Sequence, residues 1–257
     1  MRTVRVSRRE RDRTTVTPKT PTLLQKPWGW LLDYTYVSYW TTRGVLGRSS
    51  PDQRLRPPSE PRSPVLLIPG VFESWRFMEP VAEHLYQRGH PVHVLDKLGY
   101  NTGAIPEMAL IVSDYLERED LHDVTVVAHS KGGLIAKLAM GRPETLGRVR
   151  RLIAVNTPFS GSRYATVFLL PSVRMFAPKG PVIQALALET AVNARISSLY
   201  SVFDPHIPET SHLEGAQNIR LPTIGHFRPL AARPTLQLIT SILDESAPLL
   251  SDDERAP

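Results

Sequence analysis

The stretch Val124-Thr125-Val126-Val127-Ala128-His129-Ser130-Lys131-Gly132-Gly133-Leu134-Ile135-Ala136 decides the fold. Its first five residues are apolar or β-branched, which is how a strand buried on both faces of a parallel sheet reads. A serine follows, with small residues at 128, 132 and 133 around it, and then a helix-forming run. Small residues are what a very tight strand-to-helix turn requires, because larger side chains would collide with neighbouring backbone. Such a turn raises the Ser130 hydroxyl above the carboxyl edge of the sheet, where open α/β folds bind ligands. It also sets the serine at a helix N-terminus, whose free N–H groups favour negative charge.

The same alternation extends in both directions. Upstream, an apolar run at 65–68 stops at Pro69-Gly70, a helical period covers 78–88, a second strand fits 92–95, and a second helix fits 105–117. Downstream, a helix covers 132–140 and a strand 152–155. Further strands fit 196–203 and 219–222, and a last helix 235–243. Strands alternating with helices predict an α/β fold with a mostly parallel central sheet covered by helices on both faces. Residues 159–194 interrupt the rhythm with an apolar, helix-like insert.

Residues 1–64 form a different kind of sequence. Residues 1–65 carry 13 Lys and Arg against 5 Asp and Glu, whereas the remainder carries 18 against 20. The basicity is thus a property of the N-terminal quarter and not of the folded face, which argues against a nucleic-acid binder. Residues 1–26 are polar and basic and read as disordered or loosely attached. Residues 27–47 hold three of the four Trp, and Leu32, Tyr36, Tyr39 and Trp40 fall at helical spacing after Pro27. This aromatic helix either packs on the domain or lies in a membrane interface, where Trp and Tyr favour the headgroup level. Residues 48–64, with five Pro, read as an extended linker. The domain itself is expected over 65–257. No run resembles a secretory h-region or a membrane span, so the expectation is a cytoplasmic protein with peripheral membrane contact through 1–47 left open.

Cysteine is absent, which excludes thiolate metal sites and a cysteine nucleophile. Neither HExxH nor an EF-hand spacing occurs, so no metal is expected.

The Ala-His-Ser-Lys-Gly-Gly elbow resembles the nucleophile elbow of the α/β-hydrolase family, with Ala128 at the usual first glycine, as in some bacterial lipases. The resemblance spans about residues 65–243. It implies the chain order Ser, acid, His. Asp204, in Ser201-Val202-Phe203-Asp204-Pro205-His206-Ile207-Pro208, and His226, in Ile224-Gly225-His226-Phe227, fit that order. Ser201, Pro208, Gly215, Asn218, Gly225 and Leu230 fit the flanks seen in several lipases. Ser130 would be the nucleophile, His226 the general base and acid, and Asp204 the group that fixes the imidazole tautomer. His206 and His212 are the alternative bases. His206 is only two residues from Asp204, which makes an Asp–His–Ser chain hard to form. His129 adjoins the serine and its side chain is expected to point elsewhere in the pocket. Asp96 resembles the family's structural Asp-x-x-Gly loop, and Asp123 precedes a strand, at the wrong sheet edge. The oxyanion donors implied are the backbone N–H groups of Lys131 and Val71, with Phe72 as the fallback. Asn156-Thr157-Pro158-Phe159-Ser160-Gly161 resembles a lipase loop leading into a lid, which implies a lid or acyl-chain wall at 159–194; a plain helical crossover is the alternative.

The expected function is a cofactor-free serine esterase or lipase that cleaves lipid-like or long-acyl esters through an acyl-enzyme. A thioesterase or acyltransferase with the same triad, and a non-catalytic hydrolase-like binding protein, are the alternatives.

Overall fold

A computed structural model describes residues 25–46 and 62–245. The expectations for residues 1–24 and for most of the Pro-rich stretch lie outside them.

Six strands form one fully parallel sheet: β1 (Val65–Ile68), β2 (Val92–Val94), β3 (Val124–His129), β4 (Val149–Val155), β5 (Ile196–Phe203) and β6 (Gln217–Ile224). Their spatial order is β2-β1-β3-β4-β5-β6. The direction of winding reverses between β1 and β3, so the loops leaving these neighbouring strands diverge and leave a crevice at their carboxyl ends. Pro222 is accommodated because β6 is an edge strand, where one row of backbone N–H groups has no ladder partner.

Period-2 alternation sorts the strand side chains into two cores. Leu66, Ile68, Val126, Ala128, Leu152 and Ala154 face one side, packed by α3 (Ile105–Arg118) and α4 (Lys131–Met140). Val65, Leu67, Val127, Ile153, Val155 and Leu199 face the other, packed by α2 (Glu79–Tyr86) and α7 (Arg233–Glu245). Each fully buried Leu, Ile or Val contributes about 1.5–3 kcal/mol from lost apolar exposure, so the two layers hold the sheet rigid beneath its loops. The aromatic helix α1 (Gln25–Leu46) belongs to the second layer: Tyr36 is in its core, and Val37 and Trp40 pack against it.

The insert splits in character. It contains a 3-10 turn (Arg163–Val167), the single turn α5 (Pro171–Arg174) and α6 (Pro181–Leu188). Phe159, Ala165, Phe176, Ile183 and Leu186 are buried against the first core. Val167, Phe168, Leu169 and Leu170 are exposed, Leu169 by 89%. Among the described residues no helix is long and apolar enough to cross a membrane.

Candidate active site

The elbow between β3 and α4 is as tight as its composition requires. Ser130 has φ +48° and ψ −119°, a conformation that a non-glycine residue adopts only when its surroundings impose it. They do so here through close contact. A Cβ on Gly132 would fall on the carbonyl oxygen of Ile68 at the end of β1, and one on Gly133 would fall on the Thr157 side chain. Ser130 N–H donates to the Val155 carbonyl at 2.9 Å, which ties the turn to β4. The serine stands at the first turn of α4, whose leading N–H groups have no partner within the helix.

Asp204 and His226 meet. They leave the neighbouring strands β5 and β6, and His226 Nδ1 donates to Asp204 Oδ2 at 2.7 Å with both side chains buried. The other Asp204 oxygen accepts the N–H groups of His206 at 2.8 Å and Ile207 at 3.2 Å. Burial alone would raise the Asp204 carboxyl, but the His226 charge and these hydrogen bonds hold it below the ordinary carboxylate range. Burial alone would lower His226, but the Asp204 carboxylate and its hydrogen bond, with Glu73 and Asp33 behind them, hold it above an ordinary imidazole. Among the described residues no hydrogen bond joins Ser130 Oγ to His226. The two are linked through His129, the residue before the serine, whose ring centroid lies 4.8 Å from that of His226. In free hydrolytic enzymes the nucleophile–base hydrogen bond is often long and tightens only with substrate.

The other expected residues fall as follows. The His206 ring lies tilted against that of His226, centroids 5.0 Å apart, and its Nε2 lies 3.5 Å from Tyr34 Oη. Burial, then the His226 charge, pushes it down to about 4. His212 is exposed, and only its backbone N–H is engaged, with Thr210. Asp96 is exposed at the start of a 3-10 turn after β2. Asp123 pairs with Arg150 at 3.1 Å at the opposite edge of the sheet. Asn218 closes the loop before β6 by bonding both the N–H and the carbonyl of Leu213.

Around the expected oxyanion loop, 69–72, the bracing is dense. Lys131 Nζ is buried and donates to the Asn101 and Gly103 carbonyls, and burial lowers its pKa to about 8. Asn101 in turn donates to the Pro69 carbonyl at 2.7 Å. Phe72 takes φ +60°, while Val71 is partly buried against the first core. Gly70 N–H is already committed to Glu73 Oε2 at 2.8 Å, which leaves it unsuited to an incoming oxyanion.

Sequence reasoning missed three buried polar residues here. Glu73 pairs with His129 Nδ1 at 2.8 Å, and His129 Nε2 donates to the His226 carbonyl at 3.0 Å. Asn156, at φ +47° after β4, donates to the same carbonyl at 2.8 Å and accepts Ser201 N–H at 2.9 Å. Asp33 of α1 accepts backbone N–H groups of the His226 loop. Glu73 and Asp33 left no motif, because their partners are backbone atoms or residues distant in the chain.

Beside Asp204 runs a cleft of about 250 Å³, lined by Trp30, Tyr164, Val202, Ile207 and Pro208 among others. Ser130 and His226 are not among its lining residues. Among the described residues no group of His, Asp or Glu is arranged to hold a metal ion.

Comparison with known proteins gives one family and many solved structures of similar fold. The family model described as "Alpha/beta hydrolase family" matches residues 65–253. No curated protein matches. Solved structures that are similar include the mature lipase BlEst2 of Bacillus licheniformis, at 14% identity and TM-score 0.58 over 73% of this chain and 94% of that one. An extracellular alpha/beta-hydrolase from a Paenibacillus species matches at 18% and 0.52, over 70% and 98%. A structure described under carboxylesterases of Nitrososphaera gargenis matches at 12% and 0.53, over 71% and 90%. At these identities the likeness is one of fold.

Proposed function

This chain belongs to the alpha/beta hydrolase family, and from that premise we propose that it is a serine hydrolase cleaving carboxylic esters through an acyl-enzyme on Ser130. The observation that carries this reading is the 2.7 Å bond between Asp204 and His226 at the sheet edge where the strained Ser130 turn opens. A serine hydroxyl is a weak nucleophile at neutral pH and needs an adjacent base. His226 Nε2 takes the Ser130 proton as Oγ bonds to the ester carbonyl carbon, and Asp204 stabilises the imidazolium. The oxyanion accepts the Val71 and Lys131 N–H groups, each worth roughly 3 kcal/mol in the transition state. The C–O bond to the alcohol then breaks, and His226 returns the proton to the departing alkoxide. Water, deprotonated by His226, attacks the acyl carbon, the bond to Oγ breaks as His226 returns that proton to Oγ, and the carboxylic acid leaves.

The proposed substrate class is drawn from the surroundings. The aromatic cleft beside Asp204 and the exposed Phe168, Leu169 and Leu170 support a long or lipid-like acyl chain. Exposed Trp28 and Leu31, next to a basic N-terminal segment, support access to it at an anionic lipid surface.

A fluorophosphonate probe should label the protein, and Ser130→Ala should abolish both labelling and ester hydrolysis. Long-chain p-nitrophenyl esters should be cleaved at higher kcat/KM than acetate. An unlabelled, inactive wild type would refute the enzyme reading, and a preference for acetate would refute the acyl-chain reading. Co-flotation with anionic vesicles should weaken in a Trp28→Ser, Leu169→Ser variant; no flotation of the wild type would refute the surface.

A further inference from the structure

Helix α1 precedes the residues matched by the family model, yet it reaches the loop that carries His226. We infer that Asp33 is a positioning residue for His226 and that α1 is a working part of the active site. The inference rests on the proposed role of His226 as the base.

Asp33 is wholly buried. Its Oδ2 accepts the His226 N–H at 2.8 Å, and its Oδ1 accepts those of Phe227 at 2.9 Å and Arg228 at 2.8 Å. Burying a carboxylate is unfavourable unless strong hydrogen bonds compensate, and three charge-assisted bonds do so here. All three donors are consecutive, so the carboxylate fixes the backbone from which the imidazole projects. Two glycines make the approach close enough. Gly225 has φ +115°, and a Cβ there would press on the Asp33 carboxylate. A Cβ on Gly29 would collide with Ile224.

The neighbouring residues of α1 reach the other loops. Tyr34 Oη lies 3.5 Å from His206 Nε2, in the loop of Asp204. Tyr36 Oη donates to the Phe77 carbonyl at 2.6 Å, in the segment that follows the expected oxyanion loop. Phe77 meets Phe227 at 6.3 Å, which closes the circuit. One helix thus grips the base loop, the acid loop and the segment after β1.

A role confined to stability would leave kcat of the folded variant untouched, and a positioning role would not. The charged and titratable groups facing the His226 ring are Asp204, Asp33, Glu73, His129 and His206, so its titration reports the loss of the Asp33 charge. Asp33→Asn is nearly isosteric; one amide oxygen can still accept two N–H groups, while its NH2 opposes the N–H of His226.

The test uses the full chain. Ester kinetics across pH and the His226 imidazole titration by 15N NMR without substrate would be measured for wild type and Asp33→Asn. The expected result is a kcat lower by roughly 10²-fold, the cost typical of a misplaced catalytic group, with KM changed less than about threefold and a lowered His226 midpoint. Wild-type kcat in the folded variant, wherever the midpoint lies, would overturn the inference. If the Asn variant does not fold, Asp33→Glu keeps the charge and displaces the loop: a fall in kcat supports positioning, and wild-type kcat overturns it. The NMR arm reads Asp33 even if the wild type cleaves no ester, so failure here and failure of the enzyme reading are distinguishable.

Discussion

His129 Nε2 donates to the main-chain carbonyl of His226 at 3.0 Å, so the residue before the elbow serine grips the loop that presents the imidazole. The other nitrogen of His129 is held by the Glu73 carboxylate, which also accepts Gly70 N–H beside the expected oxyanion donors. The Ser130 turn, the 69–72 loop and the His226 loop are therefore coupled through one buried pair.

Glu73→Ala should destabilise the protein by about 3 kcal/mol, because removing one member of a buried pair strands the other. Urea unfolding at neutral pH measures this. A fall in kcat at temperatures well below the transition is expected alongside, since both Gly70 and His129 lose their anchor.

Ser130→Gly should unfold at higher urea than wild type, by about 1 kcal/mol. Glycine adopts φ +48° without the roughly 1–3 kcal/mol of strain that a side chain incurs, less the entropy it loses on folding. The variant should be inactive, since Oγ is gone.

Gly132→Ala should lose about 2–3 kcal/mol or fail to fold, as expected for overpacking a rigid site. The added methyl meets the carbonyl oxygens of Ile68 and Pro69, which are backbone and cannot rotate away. Thermal unfolding detects the loss.

The acid limb of kcat/KM should lie above the ordinary imidazole value of about 6.5, because the proposed base, His226, must be neutral to act and is raised. Asp204→Asn should lower the limb and cut kcat by roughly 10⁴-fold by removing tautomer control. The same shifts bear on stability. His226, raised on folding, contributes stability that is complete below about pH 6.5 and is lost as pH rises through its folded value. Asp204, lowered on folding, contributes stability present above about pH 3.9 and lost as pH falls through its folded value.

His206 works in the opposite sense to His226. It is pushed down to about 4, first by burial and then by the His226 charge. Between about pH 6.5 and 4 the unfolded chain takes up a proton there that the folded chain refuses, which costs up to about 3 kcal/mol. His206→Gln should flatten the acid side of the stability curve. Urea midpoints measured at neutral pH and near pH 4.5 would show it.

Much of this was legible in the sequence because it depends on local pattern. The five-residue run before Ser130 predicts a strand buried on both faces, and β3 is that strand, extended by one residue to His129. The clustering of Gly132 and Gly133 predicts a turn with no room for side chains, and Ile68 and Thr157 fill that room. Expected ends of elements were less accurate where the sequence is polar: β4 begins at Val149 and β6 at Gln217, earlier than apolar residues alone indicate, because ladder hydrogen bonds extend strands past their buried part.

What the chain alone determined is the alternation of strands and helices, the tight turn at Ser130, and the order in which a serine, an acid and a histidine occur. Periodicity and small-residue spacing encode these directly. What only the tertiary structure decided is which distant groups hold the site in place. Asp33 lies 193 residues from His226 and Glu73 lies 56 from His129. The Asp33 carboxylate binds backbone N–H groups and imposes no requirement on the side chains of its partners, and Glu73 pairs with a His129 side chain too distant in the chain for any spacing to link them, so nothing in either stretch of sequence announces the contact before the sheet brings them together.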